Sequence, residues 1–581
     1  MALNLLDHIG DWNPQLFREL KGRLQSRNLL LTLGGSLLGQ TLTLLYYWNE
    51  VSNDSYRYCL RLGVDGQQMA CNGEGVANLE RLINWSFWWQ DIFFFISLVG
   101  LFVLSIGGIY LLVSDLDWEH RRGTLNFIRL SPQSASKVLV GKLLGVPILL
   151  YLTAILAVPL HLWAGFSAGI PIGQILGFYA VLIGCCAFFY SAALLWGLTS
   201  TWLGGFQAWL SAGLLGMLFL LLCGDSGFAS QNQVLNYGFA LLCPAALFPH
   251  FNQVFSVNHT SSLPPGFENL SHWQFFYAPL GSSFLGTACF MLLSYGLWTY
   301  WCWQGLERCF HHPGAPVLSK GQSYGLVACF NLFLLGFAVQ DYTLNDRYAY
   351  DIQHTSNTLG LIATWVLKNY QQIFLLNLVL FLGLALALSP QRQSIIDWAR
   401  YRREQGETGK TSLWQDLVWG EKSPAVLTIG LGTLIMGLIL APWILLGTNA
   451  AFPKASALLS LGLNTLVWLV YGTIAQLLLL LRSPKRSMWA TINLSLLLVL
   501  PSMVLAILSM EPEFSPQWWL LTGFHWIALE HGVLSGFVFS LLAQCSALVL
   551  LNLKLIRQIN HLGASATQTL LADRKALVAG R

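Results

Sequence analysis

The chain has 581 residues, of which 55% are hydrophobic, 13% aromatic and 10% charged, with a formal net charge of +4. Soluble domains carry roughly 25% charged residues, so a water-soluble fold has nowhere to hide this much apolar surface. The small net charge names no partner, and no nucleic-acid partner is expected.

Lipid accommodates such a composition, because about 20 consecutive apolar residues cross roughly 30 Å of hydrocarbon. Runs of that length, bounded by polar clusters, fall near 29–48, 87–113, 142–164, 172–198, 206–223, 279–303, 324–340, 371–389, 424–446, 456–481, 488–509 and 534–555. The expected fold is an all-α polytopic helical membrane protein with about 12 transmembrane helices. Two further stretches, 235–250 and 518–530, are short and broken by Pro244, Pro249, Gly523 and His525, so they are expected as re-entrant or interfacial pieces. Residues 1–27 are polar and amphipathic, without the short apolar core and cleavage site of a secretory signal. The first span is expected to remain as an anchor.

With the N-terminus inside, 25 of the 31 Lys and Arg residues fall in cytoplasmic segments. The outer segments keep only Arg57, Arg61, Arg81, Arg347, Lys368 and Lys454. Basic loops stay on the cytoplasmic side, which places both termini in the cytoplasm. Of the eleven cysteines, most sit in apolar runs and read as small buried hydrophobes. Cys59 and Cys71 lie in an outer polar loop, where a disulfide could form.

The order of parts occurs twice: span, outer loop, span, basic inner loop, three spans, a long outer segment with a broken apolar stretch, and a last span. Local matches accompany it. Leu130-Ser131-Pro132-Gln133 corresponds to Leu388-Ser389-Pro390-Gln391, and Leu139-Val140-Gly141-Lys142 to Leu417-Val418-Trp419-Gly420-Glu421-Lys422. The expected organisation is two six-helix repeats: a first unit at 1–310, a hinge at 311–323, and a second, more divergent unit at 324–581 with a cytoplasmic tail.

Two cytoplasmic stretches carry most of the information. In residues 13–27, Leu16, Leu20 and Leu24 share one helical stripe, with Arg18, Lys21 and Arg23 away from it, Asn13 at the cap and Pro14 at the first helical position. This pattern reads as a helix lying in the membrane interface, apolar face down and basic face toward lipid phosphates, with a solvated amphipathic arm as the lesser alternative. The loop at 117–132 mixes charges with Leu125, Phe127, Ile128 and Leu130, and is broken by Gly123 and Pro132. An apolar centre with a charged rim suits docking to a soluble partner.

The pattern Asn13-Pro14-x-Leu16-x-x-Glu19-Leu20-x-x-Arg23, followed by Glu119-x-x-x-Gly123-Thr124-Leu125 and Leu130-Ser131-Pro132 running into Lys142, resembles the ABC type-2 permeases. These are the membrane subunits of one class of ATP-binding-cassette exporter. The resemblance implies a translocation path formed by the spans, coupled to separate cytoplasmic ABC ATPase subunits. It implies that Glu119, Arg122, Gly123, Thr124, Leu125 and Pro132 form the coupling segment, and that Leu16, Arg18, Leu20, Lys21 and Arg23 form an interfacial elbow. The expected location is the bacterial inner (plasma) membrane. The second half departs from the pattern: its inner loop carries Asp397-Trp398-Ala399-Arg400-Tyr401-Arg402-Arg403-Glu404 and no Gly-Thr-Leu.

No catalytic, cofactor or metal residue is expected. Gly406-Glu407-Thr408-Gly409-Lys410-Thr411 has Glu404 where a phosphate-binding loop needs Gly, and charged helical sequence where it needs a strand. Leu318-Ser319-Lys320-Gly321-Gln322 resembles an ABC ATPase signature, but no Walker A segment or soluble domain surrounds it. ATP hydrolysis would belong to a partner chain. Gln40, His161, Asn331, Asn377, Asn464 and Gln476 are polar positions in or near spans, readable as a translocation path or as bonds between helices. His525, Glu530 and His531 cluster after Trp518-Trp519 and read as an interfacial belt or a metal site. Two other functions stay open. An ion-coupled secondary transporter would need intramembrane carboxylates, which are scarce, and a non-transporting assembly or structural protein would need no docking loop. The transported substrate is not legible.

Overall fold

A bare N–H or C=O costs several kcal/mol in hydrocarbon, and the helix satisfies each of these groups within a single segment. The computed structural model describes residues 10–53, 58, 83–223, 233–252, 273–341, 357–390, 392–405, 412–448, 451–483 and 486–563. Among these residues the regular structure is helical, with no strand. Ten of the helices are long and apolar enough to cross a membrane, and the protein is an all-α polytopic helical membrane protein.

Among the described residues, length and composition support ten of the twelve spans expected from the sequence. Phe206–Leu222 is apolar but shorter than the ten. Phe284–His311 is 28 residues long, but Tyr, Trp, Gly, Ser and Thr dilute its apolar part and Gln304, Glu307, Arg308 and His311 occupy its last turns, and it is not among them. Other helices outrun their apolar cores. The run at 371–389 is the second part of a helix that starts at Thr358, and its polar residues Asn369 and Gln372 are buried within the protein.

The chain divides into two compact units, one running to His311 and the other from His312 onward, with Phe275–Tyr277 counted in the second. The first unit contains α1 (Pro14–Arg23), α2 (Ser26–Asn53), α3 (Trp85–Arg122, with one π-turn at Val103–Gly107), α4 (Thr124–Arg129), α5 (Ala135–Gly145), α6 (Ile148–Ser167), α7 (Ile172–Thr199), α8 (Phe206–Cys223) and α9 (Phe284–His311). In it α2 packs on α6, α3 on α7, and α7 along α9. At the π-turn the Tyr190 hydroxyl donates to Leu104 O, 2.7 Å away, a carbonyl that also accepts from Gly108 N. Gly108 makes that approach possible, since a Cβ there would lie 2.2 Å from the Tyr190 ring. The broken stretch 235–250 forms short helical pieces, and Phe248 and Phe251 are buried against Phe93, Phe94 and Phe178. It is internal packing of the first unit.

The second unit contains α10 (Lys320–Ala338), α11 (Thr358–Ala387), α12 (Arg392–Gln405), α13 (Leu413–Trp419), α14 (Val426–Gly447, ending in a π-turn), α15 (Lys454–Leu479), α16 (Arg486–Ile507) and α17 (Leu534–Gly563). Here α10 packs on α14 and α15 on α17. The expected hinge at 311–323 is therefore partly helix: Ser319 caps α10 in a capping box with Gln322, which gives Leu318–Gln322 a structural role. The broken stretch 518–530 buries Trp519, Leu520 and Trp526. In both units the first span packs on the third and the fourth on the sixth, whereas the fifth span lies against the second in the first unit and against the fourth in the second.

A reciprocal amide pair joins α10 to α11. Asn331 Nδ2 donates to Asn377 Oδ1 at 3.0 Å and Asn377 Nδ2 to Asn331 Oδ1 at 2.9 Å, and both side chains are buried. Each Nδ2 also donates to a carbonyl of its own helix, Val327 O or Ile373 O, so replacing one Asn by Leu strips the donor from the other's buried Oδ1, at a cost of about 1–3 kcal/mol. The double replacement Asn331→Leu with Asn377→Leu is expected to cost less than the two single ones together. A double-mutant cycle on thermal unfolding in detergent checks this, and strict additivity would show that the pair is not coupled.

Candidate coupling site

Three segments distant in sequence converge on the Lys142 ammonium: α1, the end of α3, and α5. Asn13 caps α1, accepting from Leu16 N at 3.0 Å, and its Nδ2 donates to Lys137 O at 2.7 Å. This pins the start of α1 to α5. The two helices then run in close contact because Gly141 and Gly145 lie beneath α1. A Cβ on Gly141 would come within 2.9 Å of Leu16 N, and one on Gly145 within 2.5 Å of Glu19 Cβ. Leu16 and Leu20 are buried; the stripe packs on α5, while Lys21 and Leu24 stay exposed.

Lys142 is fully buried, 0% exposed, on the facing side of α5. Its Nζ lies 2.6 Å from Asp115 Oδ2, 2.8 Å from Glu119 Oε2 and 3.9 Å from Glu19 Oε1. Asp115 and Glu119 are four apart on α3, so both carboxylates reach the same side. The outer oxygens meet α1: Arg18 Nη2 donates to Glu119 Oε1 at 2.5 Å, and Arg23 Nη2 to Asp115 Oδ1 at 2.7 Å. Arg18 and Arg23 also hold Glu19, at 3.1 and 3.3 Å. Three carboxylates thus balance three cations. Burial works against the Arg18 charge, but hydrogen bonding and Coulomb attraction from Glu19 and Glu119 outweigh it and hold its pKa above the usual value.

Glu19, Asp115 and Glu119 are the metal-type ligands that gather among the described residues, their oxygens within 4.8 Å of one another. The Lys142 ammonium already lies among them and neutralises them, so the group reads as an ion network. His525 is buried with Nε2 3.2 Å from Ser460 O, whereas Glu530 and His531 are exposed; these three do not assemble a metal site.

Beyond the network the chain turns at Gly123, whose φ of 73° is left-handed and ends α3. The two-turn helix α4 follows, with the Thr124 hydroxyl donating to Glu119 O at 3.2 Å. Leu125 and Ile128 are buried at 1% and 8% exposure, while Phe127 and Leu130 stand out at 79% and 86%. Arg122 lies over the Trp118 ring at 3.7 Å, and Gly123, Thr124 and Pro132 are exposed. The six residues assigned to the coupling segment therefore divide. Arg122, Gly123, Thr124 and Pro132 form surface, and Leu125 and Glu119, the latter 4% exposed, hold that surface in place. Phe127 and Leu130, the most exposed apolar side chains there, were not among the six.

No family model matches the chain, and no curated protein or solved structure matches it.

The polar span residues are bonded to neighbouring helices. Gln40 donates to Leu156 O, His161 lies 2.7 Å from both Ser97 Oγ and Tyr179 Oη, Asn464 donates to Met436 Sδ, and Gln476 accepts from Ala425 N. The second unit has its own buried ammonium. Lys320 Nζ donates to Leu417 O at 2.7 Å, Ser423 Oγ at 2.6 Å and Pro424 O at 3.3 Å, tying α10 to α13 and the turn after it. The Cys59–Cys71 bridge and the Gly406–Thr411 stretch lie outside the described residues.

Removing one member of a buried ion group strands its partners, at a cost of about 3–5 kcal/mol. Lys142→Met leaves Asp115 and Glu119 facing each other without their central cation, and a loss of that size in unfolding free energy is expected. Gly123→Ala costs about 1–2 kcal/mol through backbone strain alone. Denaturant unfolding in detergent ranks the two, and a Lys142→Met loss no larger than that of Gly123→Ala would contradict the network's structural weight.

Proposed function

We propose that the chain is the membrane subunit of an ABC exporter, forming the translocation path and receiving mechanical input from separate cytoplasmic ATPase subunits. The observation that carries this reading is the contrast within α4. Its base is fixed by Leu125, Ile128 and the buried ion network, while Phe127 and Leu130 project, left uncovered by the described residues. A short helix held rigidly at its base and presenting two large apolar side chains with Arg122 and Arg121 on the rim has the composition of an interface centre. The rigidity supports the mechanical role, because a push on Phe127 and Leu130 reaches α3 and α5 through ion pairs and close glycine contacts instead of being absorbed by a loose loop. The order of basic segments supports a cytoplasmic position for α4, with both termini inside and the chain in the inner membrane.

ATP chemistry on this reading takes place in the partner. The chain's contribution is a docking surface, a lever and the spans. Neither the lever nor the network names the cargo.

The test is co-purification with candidate ABC ATPases, with ATP turnover of the complex as second readout. Phe127→Asp and Leu130→Asp change exposed side chains and are expected to leave thermal stability unchanged. Each is expected to weaken association by about thirtyfold, the size of a hot-spot loss near 2 kcal/mol. Association and turnover unaltered in both variants would sink the coupling assignment.

A further inference from the structure

The second unit holds a partly open cavity of about 670 Å³ at the basic end of its spans, lined by α12, α13, α14, α15 and α17. That volume is within the range of about 300–1,000 Å³ that suits a bound small molecule. Its walls are apolar, with Leu427, Leu469, Leu548, Leu555, Ile556 and Ile559 facing in. Polar groups enter from two sides: Arg402 and Arg403 from α12, and the amides of Asn552 and Asn560 from α17. Among the described residues no carboxylate lines it.

Of the two arginines, Arg402 is held in place. Arg402 is fixed by Asp416 Oδ2 at 2.7 Å and donates to Ser412 O at 2.9 Å, and the Trp398 indole donates to the same carboxylate at 3.4 Å. Asp416 thus balances Arg402, and the neighbouring Arg403, exposed at the rim, adds one positive charge to the mouth. The α17 wall continues outward as a lipid-type surface. Ile556 is 54% exposed, and Leu542, Val549, Leu550 and Leu553 are exposed on the same helix.

An apolar chamber, open along a lipid-facing helix and capped by arginine and amide donors, matches one ligand chemistry: an acyl chain carrying an anionic phosphodiester. Basic pockets between spans on the cytoplasmic side are where anionic headgroups bind. We infer that this cavity is a binding site for an anionic glycerophospholipid, with an acyl chain among Leu427, Leu548 and Ile559 and the phosphate at Arg403 and Asn560. Occupancy links α12 and α13 to α14 and α17 through one molecule. The site needs no ATPase and stands independently of the proposed function.

The test uses the full chain, purified in detergent and stripped of lipid, with native mass spectrometry after adding phosphatidylglycerol, phosphatidylcholine of the same acyl chains, or glycerol phosphate. Phosphatidylglycerol is expected to be retained in preference to the other two. Arg403→Gln, at an exposed position, is expected to lower its retention about fivefold, the worth of one basic residue at a lipid surface. Leu548→Trp, which fills the chamber, is expected to abolish it, and Arg403→Gln keeps the inference testable should Leu548→Trp fail to fold. Equal retention of phosphatidylcholine, equal binding of glycerol phosphate, or an Arg403→Gln variant that retains phosphatidylglycerol unchanged would each overturn the assignment.

Discussion

A buried ammonium surrounded by carboxylates organises the first unit. Lys142 is fully buried, with Asp115 and Glu119 within 2.8 Å of its Nζ and Glu19 closing the shell. The carboxylates would themselves be costly to bury without a cation. Each side of the network therefore requires the other, and the backbones of α1, α3 and α5 are held where the charges can meet. The glycines at 141 and 145 permit the approach, Asn13 fixes its register, and α4 inherits its position from the end of α3.

This arrangement explains why a short helix with two outward apolar residues can be held firmly. Helices of two turns are not stable alone, since nucleation fixes several residues for one hydrogen bond. Here α4 is held by the left-handed turn at Gly123, the bond from Thr124 to Glu119 O, and burial of Leu125 and Ile128. The second unit reaches a similar end by a different route. Lys320 is satisfied by carbonyls and a serine hydroxyl around the end of α13, and Arg402 holds Asp416 on that helix. One unit anchors its inner segment by ion pairs on a helix that follows it, the other by a lysine on a helix that precedes it. The divergence seen in the two inner loops extends to their anchors.

The sequence made the membrane class legible because span length follows from hydrocarbon thickness, and composition alone reports it. Ten helices meet that requirement among the described residues. Helix ends were less legible. Residues such as Asn369, Gln372 and Asp117 interrupt the apolar pattern and yet are buried, because they bond within the protein and a hydropathy pattern cannot distinguish a protein neighbour from water. For the same reason Gln40, His161 and Asn331 could be read in sequence as a path, and the structure places each in a bond to another helix.

By itself the sequence determined the helical membrane class, a capped amphipathic helix within 13–27, which the structure ends at Arg23, and the break at Gly123, since these depend on local composition, cap chemistry and periodicity. Only the tertiary structure decided that Glu119 is a buried ion-pair partner and not a surface contact, and that Phe127 and Leu130 are the exposed pair. It alone assembled the chamber beside Arg403 from five helices. The signals were present in part: a lysine opening an apolar run, two acids four residues apart, and two glycines four residues apart. Their meaning lay in pairings across as many as 124 residues, and a one-dimensional pattern carries no information about which distant charge will lie 2.6 Å away.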